Sequence, residues 1–500
     1  MENNVLYAIV SVVASWVLVN KWLDYTTPDL SFIPALGSTN RLASFKGAIR
    51  FAREAPQVLV EGVSKFKGAI FRVPLISRWV VVVSDPKMID DIRNARPRDV
   101  SFSDAINEVI QTKYTLGPEM AVEANTYHIR VIRGPLTRSL GARFGDIYDE
   151  IATAFSDYVP LKHDEWVAVP TLDAVMKVVC RTTNRLFVDV PVCRDEDYIE
   201  LNTRFTMDVF IAGMLINLFP KFLHPIVGPL FSPASRGYKR AFKHLGPLVE
   251  QRMRDDEEYG ADRADRPIDL ISLLMDNAPE EERTLRLYIM RVLLVNFAAI
   301  HTTSYNFTHA LFYLAAKPEY VQPLREEVEN IIAEEGWTKT AVEKMRKVDS
   351  FIREASRIIG IGAFSMDRTV VNPNGFTFSN GTKLPQGAVM AVASYAIHHD
   401  EDKYAGPEEF DGFRFSKTDD DESVKHQLVN TETDFLVFGH GLHACPGRFF
   451  ASVEMKTMLA YVLLDYDIKI EGDGGLPASS WFGTASMPNP KARVMFRKRQ

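Results

Sequence analysis

The run Phe438-Gly439-His440-Gly441-Leu442-His443-Ala444-Cys445-Pro446-Gly447-Arg448-Phe449-Phe450-Ala451 holds the densest information in the chain. One cysteine stands between Gly441 and Gly447, with Phe438 and His443 before it and Pro446 after it. An apolar stretch of helical character follows. Glycines at such places permit turns and close backbone approaches that a side chain blocks. Pro446 suits the first turn of a helix, where its missing N–H costs nothing. Amides at a helix start can hydrogen-bond a sulfur and favour the thiolate. A thiolate presented in this way is a candidate axial ligand for a haem iron. The spacing sets five positions: Phe438, Gly441, His443, Cys445 and Gly447. With this composition, chance produces that spacing roughly once in a hundred thousand such chains.

Outward from this loop, the bulk composition narrows the field. The 500 residues are 46% hydrophobic and 25% charged, an ordinary globular balance. No low-complexity tract or internal repeat divides them. A net charge of −7 argues against nucleic acid as a partner. The three cysteines, Cys180, Cys193 and Cys445, are too few for a disulfide framework and fit a reducing compartment. Cys180 and Cys193 read as small buried hydrophobes.

At the other end, residues 5–19 read VLYAIVSVVASWVLV, without a charge. Extended to Leu23, with Trp16 and Trp22 near an interface and Lys21 snorkelling, this makes a minimal membrane span. Glu2 is the only early charge and no small-residue cleavage site follows, so an uncleaved anchor at 1–23 is expected rather than a secretory signal. Pro28, Pro34 and Gly37 then mark a semi-rigid hinge at 24–45. The main body of the chain is expected at 46–500.

Within the body the pattern is mainly helical. Short strands are expected at 69–73 and 79–84 from their β-branched content. Residues 102–117 read as an irregular loop. Residues 127–140 read as a basic helix interrupted by Pro135, and 171–187 and 201–218 as apolar helices. A very long helix is expected over 280–315, which lacks Gly and Pro. Between 364 and 414, alternation and the turns Asn374-Gly375 and Asn380-Gly381 predict a small β-rich lobe. The fold class is therefore mainly α with a small β-rich subdomain (α+β).

The cysteine run resembles the haem-binding loop of the cytochrome P-450 superfamily, in a form similar to its fungal microsomal members. His443 departs from the arginine that many members carry there, the side chain that meets a haem propionate. Ala298-Ala299-Ile300-His301-Thr302-Thr303 resembles the family's oxygen-activation motif, with His301 where an acid is usual. The resemblance implies proton delivery by Thr302, with Thr303 and His301 beside it. Glu354-Ala355-Ser356-Arg357 resembles the Glu-x-x-Arg pair, and Arg414 in Phe413-Arg414-Phe415 its third partner. That network implies a structural role, holding the cysteine loop. Tyr127-His128 with Arg133 stands loosely where the family has Trp-basic-x-x-x-Arg. The implied propionate contacts are His128, Arg133 and Arg368.

These motifs follow the family's order along nearly the whole chain. They imply haem b (iron protoporphyrin IX) with a Cys445 thiolate as axial ligand, and a monooxygenase acting on a hydrophobic small molecule. Substrate contacts are expected near 102–117, 205–218, 297–302, 363–365 and 482–484. No reductase domain is recognisable in these 500 residues. Electrons would come from NADPH through a separate NADPH–cytochrome P-450 reductase, with cytochrome b5 as a further candidate partner. The expected location is the endoplasmic reticulum membrane, the body facing the cytosol. A terpenoid is the leading substrate class, with steroid or xenobiotic hydroxylation next. An isomerase or dehydratase acting without O₂, and a non-enzymatic haem-binding protein, stay open as other readings.

Overall fold

The computed structural model describes residues 28–75, 78–121, 126–161, 165–416 and 426–500. The expected anchor at 1–23 and the first hinge residues lie outside them. From Pro28 onward the hinge lies against the body. Leu30 and Ile33 are buried, and Leu36 N–H donates to the Arg72 carbonyl at 2.9 Å. Apolar residues in this stretch draw it onto the sheet.

That sheet has five strands: β1 (Phe71–Pro74), β2 (Trp79–Val83), β3 (Val100–Ser101), β4 (Ser365–Val370) and β5 (Val389–Val392), in the order β1-β2-β5-β4-β3. β2 and β5 pair in parallel, so the β-rich segment is not a separate lobe. It closes onto strands from the start of the chain. β-branched residues on both faces, such as Val81 and Val83 on one and Val82 on the other, are fully buried, as expected of a covered sheet.

Three smaller sheets of two or three strands accompany it among the described residues, and helices make up most of the rest. Those that build the site are α1 (Pro86–Asn94), α2 (Phe102–Ile110), α3 (Thr171–Phe187), α4 (Glu196–Asn217), α5 (Leu285–Ala316), α6 (Arg346–Ile358) and α7 (Arg448–Asp465). α3 has the bounds its apolar period predicts. α5 starts later than predicted, because Thr284 caps it, accepting from Leu287 N–H at 3.3 Å, and residues 280–282 form a separate turn. Its length and composition would suffice to cross a membrane, but it is mostly buried as the central helix of the core.

Two segments differ from the sequence expectation. Residues 102–110 form a helix, not a loop. Ser101 caps it by accepting from Asp104 N–H at 2.9 Å, and Gln111, with φ +54°, ends it. The cap is set by the pairing of β3 with β4, which lies far off in sequence. At Pro135 the chain does not break. Residues Ile132–Leu136 form a π turn that accommodates the missing N–H and carries the helix on.

Candidate functional site

The cysteine loop is shaped by its glycines. Gly441 has φ +78°, and a Cβ there would fall 2.3 Å from Arg93 Cγ on α1. Cys445 N–H closes the loop onto the Phe438 carbonyl at 2.8 Å. α7 begins at Arg448 with Gly447 as its N-cap, so Pro446 precedes the helix rather than opening it. Arg133 donates to the Leu442 and Ala444 carbonyls at 3.0 and 3.3 Å, and Arg448 to the Cys445 carbonyl at 3.0 Å. Burial pushes the Cys445 thiol up; the N–H groups of Gly447 and Arg448 and the charges of Arg448 and Arg133 pull the other way. The sulfur thus sits among donors that favour its charged form, on a residue that is half-buried.

On α5, Ala298 and Thr302 are exposed in the middle of an otherwise buried helix. This bare patch, one turn long and ending in a small residue and a hydroxyl, is the surface a flat cofactor would cover. Thr302 Oγ1 donates back to the Ala298 and Ala299 carbonyls at 2.9 and 3.2 Å. Thr303 is buried. His301 lies about 100° around the helix from Thr302. It meets Tyr305 edge-on at 5.6 Å and lines a cavity of about 860 Å³ with Tyr305, Met176, Lys177, Glu200 and Met207. Burial holds the His301 ring down to about 4, so it is neutral. The structure therefore does not place Thr302 and His301 on one face.

The expected basic residues separate into three settings. Arg368 is 2% exposed, and its described hydrogen bond goes to its neighbour's carbonyl, at 2.7 Å. It lies over the Phe102 ring at 5.5 Å, and Phe102 in turn meets His443 at 5.7 Å. Burial lowers Arg368 to about 10 and His443 to about 4. A buried cation in that position suits an acidic group of a ligand. Arg133, as above, holds the loop carbonyls. His128 receives Arg291 at Nδ1, 3.1 Å away, and burial pushes it down to about 3. Arg291, buried on α5 and paired with Glu282, is a site residue the motifs do not point to; its sequence signal is an arginine set inside the apolar run of a long helix.

Glu354, Arg357 and Arg414 do meet. Arg357 holds both oxygens of Glu354, at 2.8 and 2.9 Å, and Arg414 donates to Glu354 Oε1 at 3.0 Å. The network continues through a residue the sequence did not reveal. Arg357 Nη1 donates to the His398 carbonyl, and His398 Nε2 accepts from Leu436 N–H at 3.0 Å, two residues before Phe438. The ion cluster is thus tied to the entrance of the cysteine loop.

Segments expected to meet a substrate also converge. A Cβ on Gly213 of α4 would lie 2.8 Å from the Ile110 Cα, so that glycine lets α4 close on the end of α2. Ala363 N–H donates to the Thr484 carbonyl at 2.7 Å, joining 363–365 to 482–484. Phe210 and Phe297 face each other at 5.3 Å.

The donor set around Cys445, the bare face of α5 and the buried Arg368 together fit a haem. The cytochrome P-450 family model matches residues 39–496. Cytochrome P-450 monooxygenase 151 of Postia placenta is 41% identical over 99% of both chains. The chain belongs to the cytochrome P-450 family. The ent-kaurene oxidase of Gibberella intermedia is 31% identical over 90% of this P-450 and 85% of the oxidase. In fold, the haem domain of cytochrome P-450 DA superposes with a TM-score of 0.71, covering 94% of this chain and 97% of that one, at 15% identity. This P-450 is accordingly a monooxygenase of the fungal group, and its family's cofactor is haem held by a cysteine thiolate.

Proposed function

We propose that this P-450 oxidises a hydrophobic small molecule, with a terpenoid as the substrate class, using O₂ and electrons passed from NADPH by a separate reductase. The observation that carries the reading is the donor-lined Cys445 loop, and the bare Ala298–Thr302 face of α5 supports it. Haem, when bound, supplies the activation of O₂. Cys445 would hold the iron as thiolate, with Gly441 and Gly447 allowing the loop its shape and Phe438 closing it. Arg368 and His443 are the favoured propionate partners, since Arg133 is committed to loop carbonyls and His128 to Arg291. Thr302 would hold water and pass protons toward the bare face, with Thr303 behind it. His301, on a different face, would act on proton supply only indirectly.

Apolar side chains such as Phe210, Phe297 and Phe482 favour a lipophilic substrate. The relative named ent-kaurene oxidase favours a terpenoid. The apolar residues 5–19 support an anchor in the endoplasmic reticulum membrane, with NADPH–cytochrome P-450 reductase, and cytochrome b5 in addition, as partners at the cytosolic face. The test is reconstitution of purified protein with reductase, NADPH, O₂ and a panel of terpene hydrocarbons and alcohols. Oxygenated products that require all three components support the reading. Turnover of a peroxide substrate without reductase or O₂ contradicts it.

A further inference from the structure

On α5 the residues Thr302, Asn306, His309 and Tyr313 recur at spacings of four, three and four, so they lie along one stripe. The stripe begins at the bare patch and runs into the core. Asn306 donates its amide N–H to the Thr302 carbonyl at 2.9 Å, and its own Oδ1 is buried with no protein partner. His309 is 2% exposed, and neither ring nitrogen meets a protein partner. Beyond it, Tyr313 lies within electrostatic range of Glu354 and Arg357 on α6. The ring of Tyr313 stacks on Phe410 at 4.1 Å. Nearby, Ser356 Oγ on α6 is also buried and unpartnered.

Buried polar atoms are almost always hydrogen-bonded, to protein or to ordered water. One orphan atom is unremarkable. Three on adjacent turns of one stripe, starting at the hydroxyl that faces the open side of the helix, form a pattern. An apolar core would have used Leu or Phe at 306 and 309. The chemistry present instead offers acceptors and donors that water can bridge, in the number of partners a buried water needs.

We propose that the Thr302–Asn306–His309 stripe is a hydrated seam that orders water behind Thr302 and so sets the orientation of its hydroxyl for proton transfer on the open face. The seam is separate from the His301 cavity, which opens on another face of α5. Asn306 and His309 are positioning residues: they act through water on Thr302. The seam's water acts on Thr302 through hydrogen bonds alone, so no proton is drawn from the core and no residue changes its charge over a cycle. This inference rests on the oxygenase reading of Thr302.

The test uses the full-length holoenzyme with its reductase. A crystal structure should show ordered waters within hydrogen-bond distance of Asn306 Oδ1 and of at least one His309 ring nitrogen. His309→Phe and Asn306→Leu should keep the thiolate–haem spectrum. They should raise hydrogen peroxide released per NADPH by about threefold or more, well short of the roughly 10²–10⁴-fold of a direct acid–base group, because they act only through water. His309→Gln, which can still bind water, should restore most of the coupling. Thermal denaturation gives a readout independent of turnover. In a hydrated seam His309→Phe lowers Tm, whereas in a dry one removing two orphan nitrogens raises it. A dry seam, a raised Tm, or unchanged coupling in both variants overturns the proposal. If Thr302→Ala itself leaves coupling unchanged, the reading beneath it fails instead.

Discussion

Arg357 grips Glu354 one helical turn away with two parallel hydrogen bonds, and neither side chain has any solvent exposure. The pair is completed from outside α6 by Arg414 and by the Asp411 N–H, at 3.0 and 3.2 Å from Glu354 Oε1. Buried charges are tolerable only when every partner is in place. Glu354→Ala leaves two guanidiniums facing an empty site. It should cost about 3–5 kcal/mol, the usual result of breaking a buried pair. Because Arg357 also holds His398, whose ring holds Leu436, the loss should reach the cysteine loop. Denaturant titration and haem content check this. A folded variant with full haem content would show that the network does not support the loop.

Gly441 makes a sharper local test. Its φ of +78° and the 2.3 Å approach to Arg93 leave no room for a methyl group. Gly441→Ala should cost about 1–3 kcal/mol in backbone strain alone. The clash should also displace the loop. The expected result is poor haem retention with the rest of the fold intact, seen as native-like far-ultraviolet circular dichroism beside a low haem-to-protein ratio. Trimming the opposing side chain by Arg93→Ala in the same protein should recover part of the loss.

Thr302 and His301 should separate in their effects. Thr302 lies on the bare face, His301 on the cavity behind it. Thr302→Ala should divert electrons into hydrogen peroxide at nearly unchanged NADPH consumption, lowering product per NADPH by roughly 10-fold or more. His301→Gln should have the smaller effect. Equal and large effects of both would place them in one relay and contradict the geometry.

The acid limb of the stability curve carries its own prediction. His128 and His301 are held down to about 3 and 4 by burial, and His398 is also lowered by burial. Unfolded, each titrates near 6.5. Below that pH the unfolded chain binds protons that the folded chain refuses, so stability falls as pH drops. Each histidine contributes a slope approaching 1.4 kcal/mol per pH unit, roughly, in the window from pH 6 to 5. Apparent Tm measured from pH 7.5 to 5 should decline through that window, and less steeply in His301→Gln. A flat profile would mean that these rings gain partners or water on acidification.

The sequence carried what depends on neighbours along the chain. The Phe438–Gly447 spacing, the Glu354–Arg357 turn and the apolar period of α3 are all local, and each is found in the structure as a loop, a buried pair and a helix of the expected bounds. What it did not carry depends on distant segments. The helix α2 needs Ser101 in place, and Ser101 is placed by strand pairing with residue 369. His398 matters because a guanidinium from α6 and a loop amide happen to meet it. The motif of six residues around Thr302 hides a division of faces, since adjacent residues on a helix point about 100° apart. Arg368 is informative only because it is buried without a carboxylate hydrogen bond among the described residues, which no pattern of letters discloses.

The central claim is that Cys445, set among the Gly447 and Arg448 amides and the Arg133-held carbonyls, is the thiolate that binds haem iron. The most direct measurement is the difference spectrum of the reduced, CO-bound protein, compared between wild type and Cys445→Ser. The account predicts the red-shifted Soret band of a thiolate-ligated haem in the wild type and its complete loss in the variant. Retention of that band in Cys445→Ser, or its absence from a fully haem-loaded wild type, would contradict it.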